Sequence, residues 1–226
     1  LSYTFQFGEV LRYWPLLVQG AINTLVFSVI AMVAGLAIGV VGASCRISSS
    51  RVLRAIAGAY VEVVRNTPLL VQLFLFYFGL PALGLRLSTS QAAILALTFN
   101  TGAYSTEIVR AGIESIHRSQ IEASTSLGIS RLQTFLHVVL PQGLERVYPA
   151  LASQFVLMML ASSVVSAIGA EELTAYGNRI QSENFRAMEV FFVCAAVYLG
   201  LTYLMRVLLA AVAYVAFPRR RALGSV

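Results

Sequence analysis

The 226-residue sequence has neither lysine nor aspartate: all 16 basic residues are arginine and all 10 acidic residues are glutamate. A phosphate-binding loop of the G-x-x-x-x-G-K-[ST] type needs its lysine, and an ATPase normally needs an aspartate to hold Mg²⁺. Neither can be built, so this chain does not hydrolyse ATP in that way. A Ser-His-Asp triad is excluded too, and a glutamate variant has no G-x-S-x-G elbow to support it. Histidine is scarce: His117 and His137 stand apart, with no cysteine cluster near them, and no zinc site is expected. The two cysteines, Cys45 and Cys194, lie near the ends of apolar segments and read as free packing thiols. No catalytic residue and no metal ligand are assigned.

Charge itself is sparse. Charged residues make up 12% of the chain and hydrophobic ones 58%, against about 25% charged in a soluble domain. Long uncharged runs then point to a bilayer. Five spans are expected, at about 16–43, 58–80, 90–111, 147–169 and 188–217. Residues 1–15 are too polar to span, and Phe5, Phe7, Trp14 and Pro15 suit an interfacial segment. No basic n-region or small-residue cleavage site marks a signal peptide. With five spans the termini fall on opposite sides. One face holds Arg46, Arg51, Arg54, Arg110, Arg118, Arg131, Arg146, Arg219, Arg220 and Arg221; the other holds Arg12, Arg86, Arg179 and Arg186. The arginine-rich face is assigned to the cytoplasm, which puts the N-terminus outside and the C-terminus inside. The net charge of +6 is thereby explained by membrane orientation, and no nucleic-acid partner is inferred. The fold class expected is an all-α integral membrane protein, residues 1–226 forming a single domain.

The longest polar connection, 112–144, falls on the cytoplasmic side. Ser119-x-x-Glu122 and Ser130-x-x-Gln133 both have the form of a capping box, in which the serine caps a helix start and the acid or amide reaches back. The first helix should run to Leu127 and stop at Gly128; the second carries Leu132, Phe135, Leu136 and Val139 on one face and should end at Pro141. An ordered two-helix element of this kind suits docking, and an ordinary interfacial hairpin accounts equally well for the pattern.

Here a family resemblance becomes specific. Glu122-Ala123-Ser124-Thr125-Ser126-Leu127-Gly128, ending in Leu140-Pro141, resembles the EAA loop of binding-protein-dependent ABC importers, with Ser124 in place of the second alanine. Further along, Val61-Glu62-Val63-Val64-Arg65-Asn66-Thr67-Pro68-Leu69-Leu70-Val71-Gln72 is similar to the second span of the polar amino-acid branch. Asn100-Thr101-Gly102-Ala103-Tyr104 with Glu107, Arg110 and Gly112 resembles its third, and Ser162-Ser163 through Glu172-Leu173-Thr174 the end of its fourth. The resemblance covers roughly residues 16–215. It implies a permease subunit, with Glu122, Ala123, Ser124, Gly128, Leu140 and Pro141 in the loop that couples to a separate ATPase. The implied partners are a second permease, two copies of an ATP-binding subunit that hold ATP and Mg²⁺, and an external solute-binding protein; the implied cargo is an amino acid, and the implied place is the bacterial cytoplasmic membrane. The chain itself needs no cofactor. One departure stands out: the family usually has a Lys-Asp pair before the two serines of the fourth span, where this chain has Leu160 and Ala161. A non-identical permease that keeps the charged pair is therefore the expected partner.

Charged and polar groups at membrane depth are the candidates for the translocation path. Glu62 with Arg65, and Glu107 with Arg110, are i,i+3 pairs that either neutralise each other or line a gate. Pro68 should kink the second span near Asn66 and Thr67 and free backbone carbonyls there. Asn100, Tyr104, Gln154, Ser162 and Ser163 supply neutral hydrogen-bonding groups suited either to a zwitterion or to holding helices together. Arg206 should snorkel or pair with a glutamate, and Gly35-x-x-x-Gly39 permits close helix approach. Three other readings compete: a self-contained secondary carrier, which usually shows inverted repeats not found here; an integral-membrane enzyme, for which the ionisable groups are too few and too self-paired; and a structural membrane scaffold, which gives no reason for the capped two-helix element.

Overall fold

The computed structural model describes residues 3–217, and every regular element in them is helical. In chain order they are α1 (Phe7–Leu11), α2 (Trp14–Arg46), α3 (Arg51–Arg65), α4 (Leu69–Phe74), a π-helical turn (Leu75–Gly79), α5 (Leu80–Ala82), α6 (Thr89–Glu114), α7 (Arg118–Ser126), α8 (Arg131–Thr134), a second π-helical turn (Phe135–Val139), α9 (Leu140–Ala161), a 3₁₀ segment (Ser162–Ile168), α10 (Leu173–Asn184) and α11 (Ala187–Ala216). The triple arginine at 219–221 lies outside the described residues.

Three uninterrupted helical runs are long and apolar enough to cross a bilayer: Trp14–Arg46, Arg131–Ile168 and Ala187–Ala216. A fourth exists if the broken pair Arg51–Arg65 and Leu69–Ala82 counts as one. The remaining long helix, α6, has 26 residues, ample for about 30 Å at about 1.5 Å per residue. Its sequence is more polar, because Asn100, Thr101, Ser105, Thr106, Glu107 and Arg110 all lie along it. Most of that polar set is buried.

The expected second span, 58–80, is not one helix. The serine hydroxyl of Ser50 accepts from the Leu53 N–H and starts α3 at Arg51, seven residues early. The helix then stops at Arg65 and restarts at Leu69, because the Pro68 ring disfavours helical backbone at Thr67. One carbonyl left outside the helices by this break is satisfied: buried Gln72 donates its amide to the Thr67 O and Oγ1, both at 3.0 Å.

The expected stop at Pro141 is also overturned. The π turn Phe135–Val139 precedes Leu140-Pro141, and the Leu140 N–H reaches back five residues to the Phe135 O. A widened turn relieves the clash between a proline ring and the carbonyl four residues earlier, so the helix runs on through Pro141 to Ala161. The same device recurs at Leu75–Gly79 ahead of Leu80-Pro81.

By internal packing the chain divides into two units. The first comprises 3–33, 67–98 and 155–208. Its core gathers Phe27 and Ala31, Leu73, Ala92, Ala93, Ala96 and Leu97, Met158, Val165 and Ile168; the alanines let helix backbones approach. Gly20 meets the start of α10 so closely that a Cβ there would lie 2.8 Å from the Leu173 Cα. Glu172 is wholly buried. It caps α10 by accepting from the Ala175 N–H at 2.8 Å, and its other oxygen accepts from the Tyr198 hydroxyl at 2.6 Å. Burial raises its carboxyl above the ordinary range even though the Tyr198 hydrogen bond pulls the other way. Glu189, equally buried, accepts from the Tyr3 hydroxyl and the Gln6 N–H and so ties down the residues ahead of α1.

The second unit comprises 34–66, 99–154 and 209–217. Its central seam runs between α2 and α6. Added Cβ atoms at Gly35, Gly39 and Gly42 would collide with Thr101, Ser105 and Thr106 respectively, so the glycine spacing noticed in the sequence does permit a near-backbone approach. Farther along α6, a Cβ on Gly112 would lie 2.6 Å from the Gly143 carbonyl of α9. The Tyr148 hydroxyl donates to the Leu209 carbonyl of α11 at 2.6 Å.

Candidate functional site

The connection between α6 and α9 folds as a helix, a sharp turn and a second helix, as its punctuation predicts, but the first cap differs. His117, not Ser119, is the N-cap of α7: its Nδ1 accepts from the Ser119 N–H, and the Ser119 hydroxyl pairs with the same nitrogen at 2.7 Å. The helix therefore begins two residues earlier than a Ser119 cap would set, and Glu122 is exposed instead of reaching back. The second capping box is present: Ser130 Oγ accepts from the Gln133 N–H, and Gln133 Oε1 accepts from the Ser130 N–H.

The turn between the helices is a Schellman motif. Gly128 has φ +74°; its N–H donates to the Thr125 O at 3.0 Å, and the Ile129 N–H donates to the Ser124 O at 3.1 Å. Ser124 is buried and donates its hydroxyl to the Gln120 carbonyl at 2.9 Å, which explains how a serine replaces alanine without stranding a polar group. Glu122, Ala123 and Gly128 are exposed, and so are the large apolar side chains of Leu127 (78%) and Leu132 (67%). A surface with bare leucines beside a fixed turn has the chemistry of a docking face.

Behind the loop the last turns of α6 carry an ion network. Glu107 Oε2 accepts from Arg110 Nη2 at 2.6 Å, Arg110 Nη1 pairs with Glu114 at 2.8 Å, and Glu107 Oε1 accepts from Arg46 Nε at 3.3 Å. The i,i+3 pairing of Glu107 with Arg110 is thus present. Its extension to Arg46 and Glu114 was not legible, since Arg46 reads as one more loop arginine. The other expected pair is not formed: among the described residues Glu62 and Arg65 share no ion pair. Asn66 Nδ2 instead donates to Glu62 Oε2 at 3.1 Å, and the Arg65 guanidinium lies 5.2 Å from the centre of the Tyr104 ring.

In the second unit, then, Glu62, Arg65 and Asn66 are exposed beside the half-buried Tyr104, and Asn100 is buried one turn along α6. Gln154 is half-buried on α9. In the first unit, Thr67 and Pro68 are exposed at the helix break. Ser162 has no accessible surface and donates to the Met159 carbonyl at 2.6 Å; Ser163 donates to the Leu160 carbonyl at 2.9 Å. Those hydroxyls serve the 3₁₀ segment. Arg206 is exposed on α11 and makes no ion pair among the described residues.

The family of binding-protein-dependent transport system inner membrane components matches residues 35–220. The chain belongs to that family. It is a transmembrane permease subunit of an ABC importer, and it performs transport, not chemistry; ATP hydrolysis lies in a separate subunit. The chain is 37% identical over 207 residues to the glutamine transport system permease protein GlnP of Escherichia coli, spanning 91% of this chain and 94% of that one. Over 184 residues it is 39% identical to the Probable glutamine ABC transporter permease protein GlnM of Bacillus subtilis, covering 81% and 85% of the two chains. Among solved structures, a chain from the crystal structure of an amino acid ABC transporter with histidines superposes with a TM-score of 0.84 at 36% identity, over 94% of this permease and 99% of that chain.

Proposed function

We propose that this permease carries a polar amino acid, and that it does so as a single five-span domain over residues 1–226, with its N-terminus outside and its C-terminus in the cytoplasm of a bacterial cell. The observation that carries the cargo class is the 37% identity, over nine-tenths of both chains, to a permease named for glutamine. The partners are an external solute-binding protein, two copies of an ATPase that holds ATP and Mg²⁺, and a second, non-identical permease. The apolar pair Leu160 and Ala161 supports that last partner, because this chain lacks charges there.

Coupling passes through α7 and its turn: Glu122, Ala123 and Gly128 form the face gripped by the ATPase, buried Ser124 braces the helix that presents it, and Leu140 and Pro141 continue the element into α9. Alternating access moves the cargo past Glu62, Arg65, Asn66, Thr67, Pro68, Asn100, Tyr104 and Glu107, with Gln154 and Ser163 on the fourth span, where wholly buried Ser162 braces the 3₁₀ segment. The Arg65 guanidinium, exposed and set over the Tyr104 ring, suits a carboxylate.

The test is purification of the full complex with the binding protein and ATPase, followed by ATPase and uptake assays with glutamine, glutamate, histidine and arginine. Stimulation by one or more of these is expected. No stimulation by any of them overturns the cargo class, and a complex holding two copies of this chain overturns the mixed pair.

A further inference from the structure

We propose that Arg46 is a positioning residue of the transport cycle: with its tip resting against Gly58 of α3 it fastens the last turn of α2 to Glu107 of α6, so that motion entering α6 from the coupling loop is handed to α2. The proposal rests on the coupling role assigned above to α7.

The seam between α2 and α6 is held by close packing alone along most of its length. Gly35, Gly39 and Gly42 face Thr101, Ser105 and Thr106, contacts of small residues that carry no charge. The buried hydroxyls of Thr101 and Ser105 make no hydrogen bond, and Thr106 spends its hydroxyl on the Gly102 carbonyl of its own helix at 2.8 Å. These positions bring the helices close without a directional link.

At the loop end of the same seam the character changes. Arg46, in the last turn of α2, reaches Glu107 at 3.3 Å. Glu107 is held in place by Arg110, which forks to Glu114, the last residue of α6. Three residues later His117 caps the docking helix. The charges of Arg46, Arg110, Glu107 and Glu114 balance, so the group can stay paired in a partly dry site. The tip of the arginine rests against Gly58 of α3: a Cβ built there would lie 2.7 Å from Arg46 Nη1 and 3.7 Å from the Arg46 Cζ, with no other described side chain within 4 Å. Gly58 therefore leaves the room that the tip of the guanidinium occupies while its Nε holds Glu107.

That room supplies a test that leaves every charge in place. In the full complex, reconstituted in vesicles with its binding protein, Arg46→Gln and Gly58→Leu should each lower cargo moved per ATP hydrolysed by about fivefold or more, the lower range for coupling between sites. The double variant should be no worse than either single, because both break one contact, and Arg46→Lys should recover part of the loss. Normal transport per ATP in Gly58→Leu, or additive losses in the double variant, overturns the tie. Co-purification of the ATPase is scored in each preparation. An ATPase that fails to bind even the wild-type permease refutes the docking role, whereas a bound ATPase with unchanged coupling in Arg46→Gln refutes only the tie.

Discussion

Gly128 offers the sharpest test of the docking face. Its backbone has φ +74°, and a Cβ built on it meets nothing within 4 Å, so a loss in Gly128→Ala comes from the conformation and not from a clash. Placing an ordinary L-residue in the left-handed region costs about 1–2 kcal/mol, and about 1.4 kcal/mol is tenfold in an equilibrium. Gly128→Ala should thus depopulate the native turn by about tenfold, loosening the two hydrogen bonds that end α7. Gly128→Asn should do less, since asparagine visits this region readily. Gly128→Asp keeps a side chain of similar size and adds a negative charge to the docking face, so it should be the most severe. Uptake in whole cells, normalised to the amount of inserted permease, should fall in the order Asn, Ala, Asp. Insertion itself should persist, because the turn lies outside the apolar runs. Wild-type uptake in both Gly128→Ala and Gly128→Asp would refute the assignment of this turn to the docking face.

Further outcomes follow from the buried groups. Because burial holds the Glu172 carboxyl above its usual value of about 4.3, the folded state keeps a proton that the unfolded chain has lost. Stability should therefore fall as pH rises from that value through the folded one, and Glu172→Gln should flatten the slope of melting temperature against pH in detergent. An unchanged slope in the variant would place the titration elsewhere. Gly112→Val drives a branched side chain into the Gly143 carbonyl and should reduce the folded yield severalfold, whereas Gly8→Ala, whose Cβ meets nothing within 4 Å, should not. Arg65→Leu removes the cation over Tyr104; it should abolish most uptake while the complex and its ATPase remain assembled, and normal uptake would remove Arg65 from the path.

Much of the architecture was legible because bilayer spans depend on a coarse property. Long apolar runs with few charges locate α2 and α11 within a few residues, while the fourth expected span, 147–169, is shifted by seven or eight residues from α9 at Leu140–Ala161; Gly128 and Ser130 marked a turn and a cap that need no tertiary information. The boundaries that failed did so for local reasons. Ser119 and His117 compete to cap the same helix, and a ring nitrogen two residues before the Ser119 N–H won. Pro141 reads as a stop by any rule of helix chemistry, and only the π turn ahead of it explains its place inside a helix. At the candidate site, i,i+3 spacing found Glu107 with Arg110 but wrongly paired Glu62 with Arg65, since spacing says nothing of Asn66 or of a tyrosine arriving from α6. The link from Arg46 to Glu107 joins residues 61 apart in sequence and had no local signal.

The π turn at Phe135–Val139 has a consequence for the azimuth of everything around it. One surplus residue in a helix rotates the residues beyond it by about 100°. The loop half of the Arg131–Ile168 rod and its apolar half thus keep separate phases, each free to choose which side it turns toward its own neighbours. Deleting a single residue from that turn would bring both halves onto one helical repeat and swing Leu132 round the axis relative to Tyr148, leaving chemistry and length almost untouched while misaiming one surface or the other.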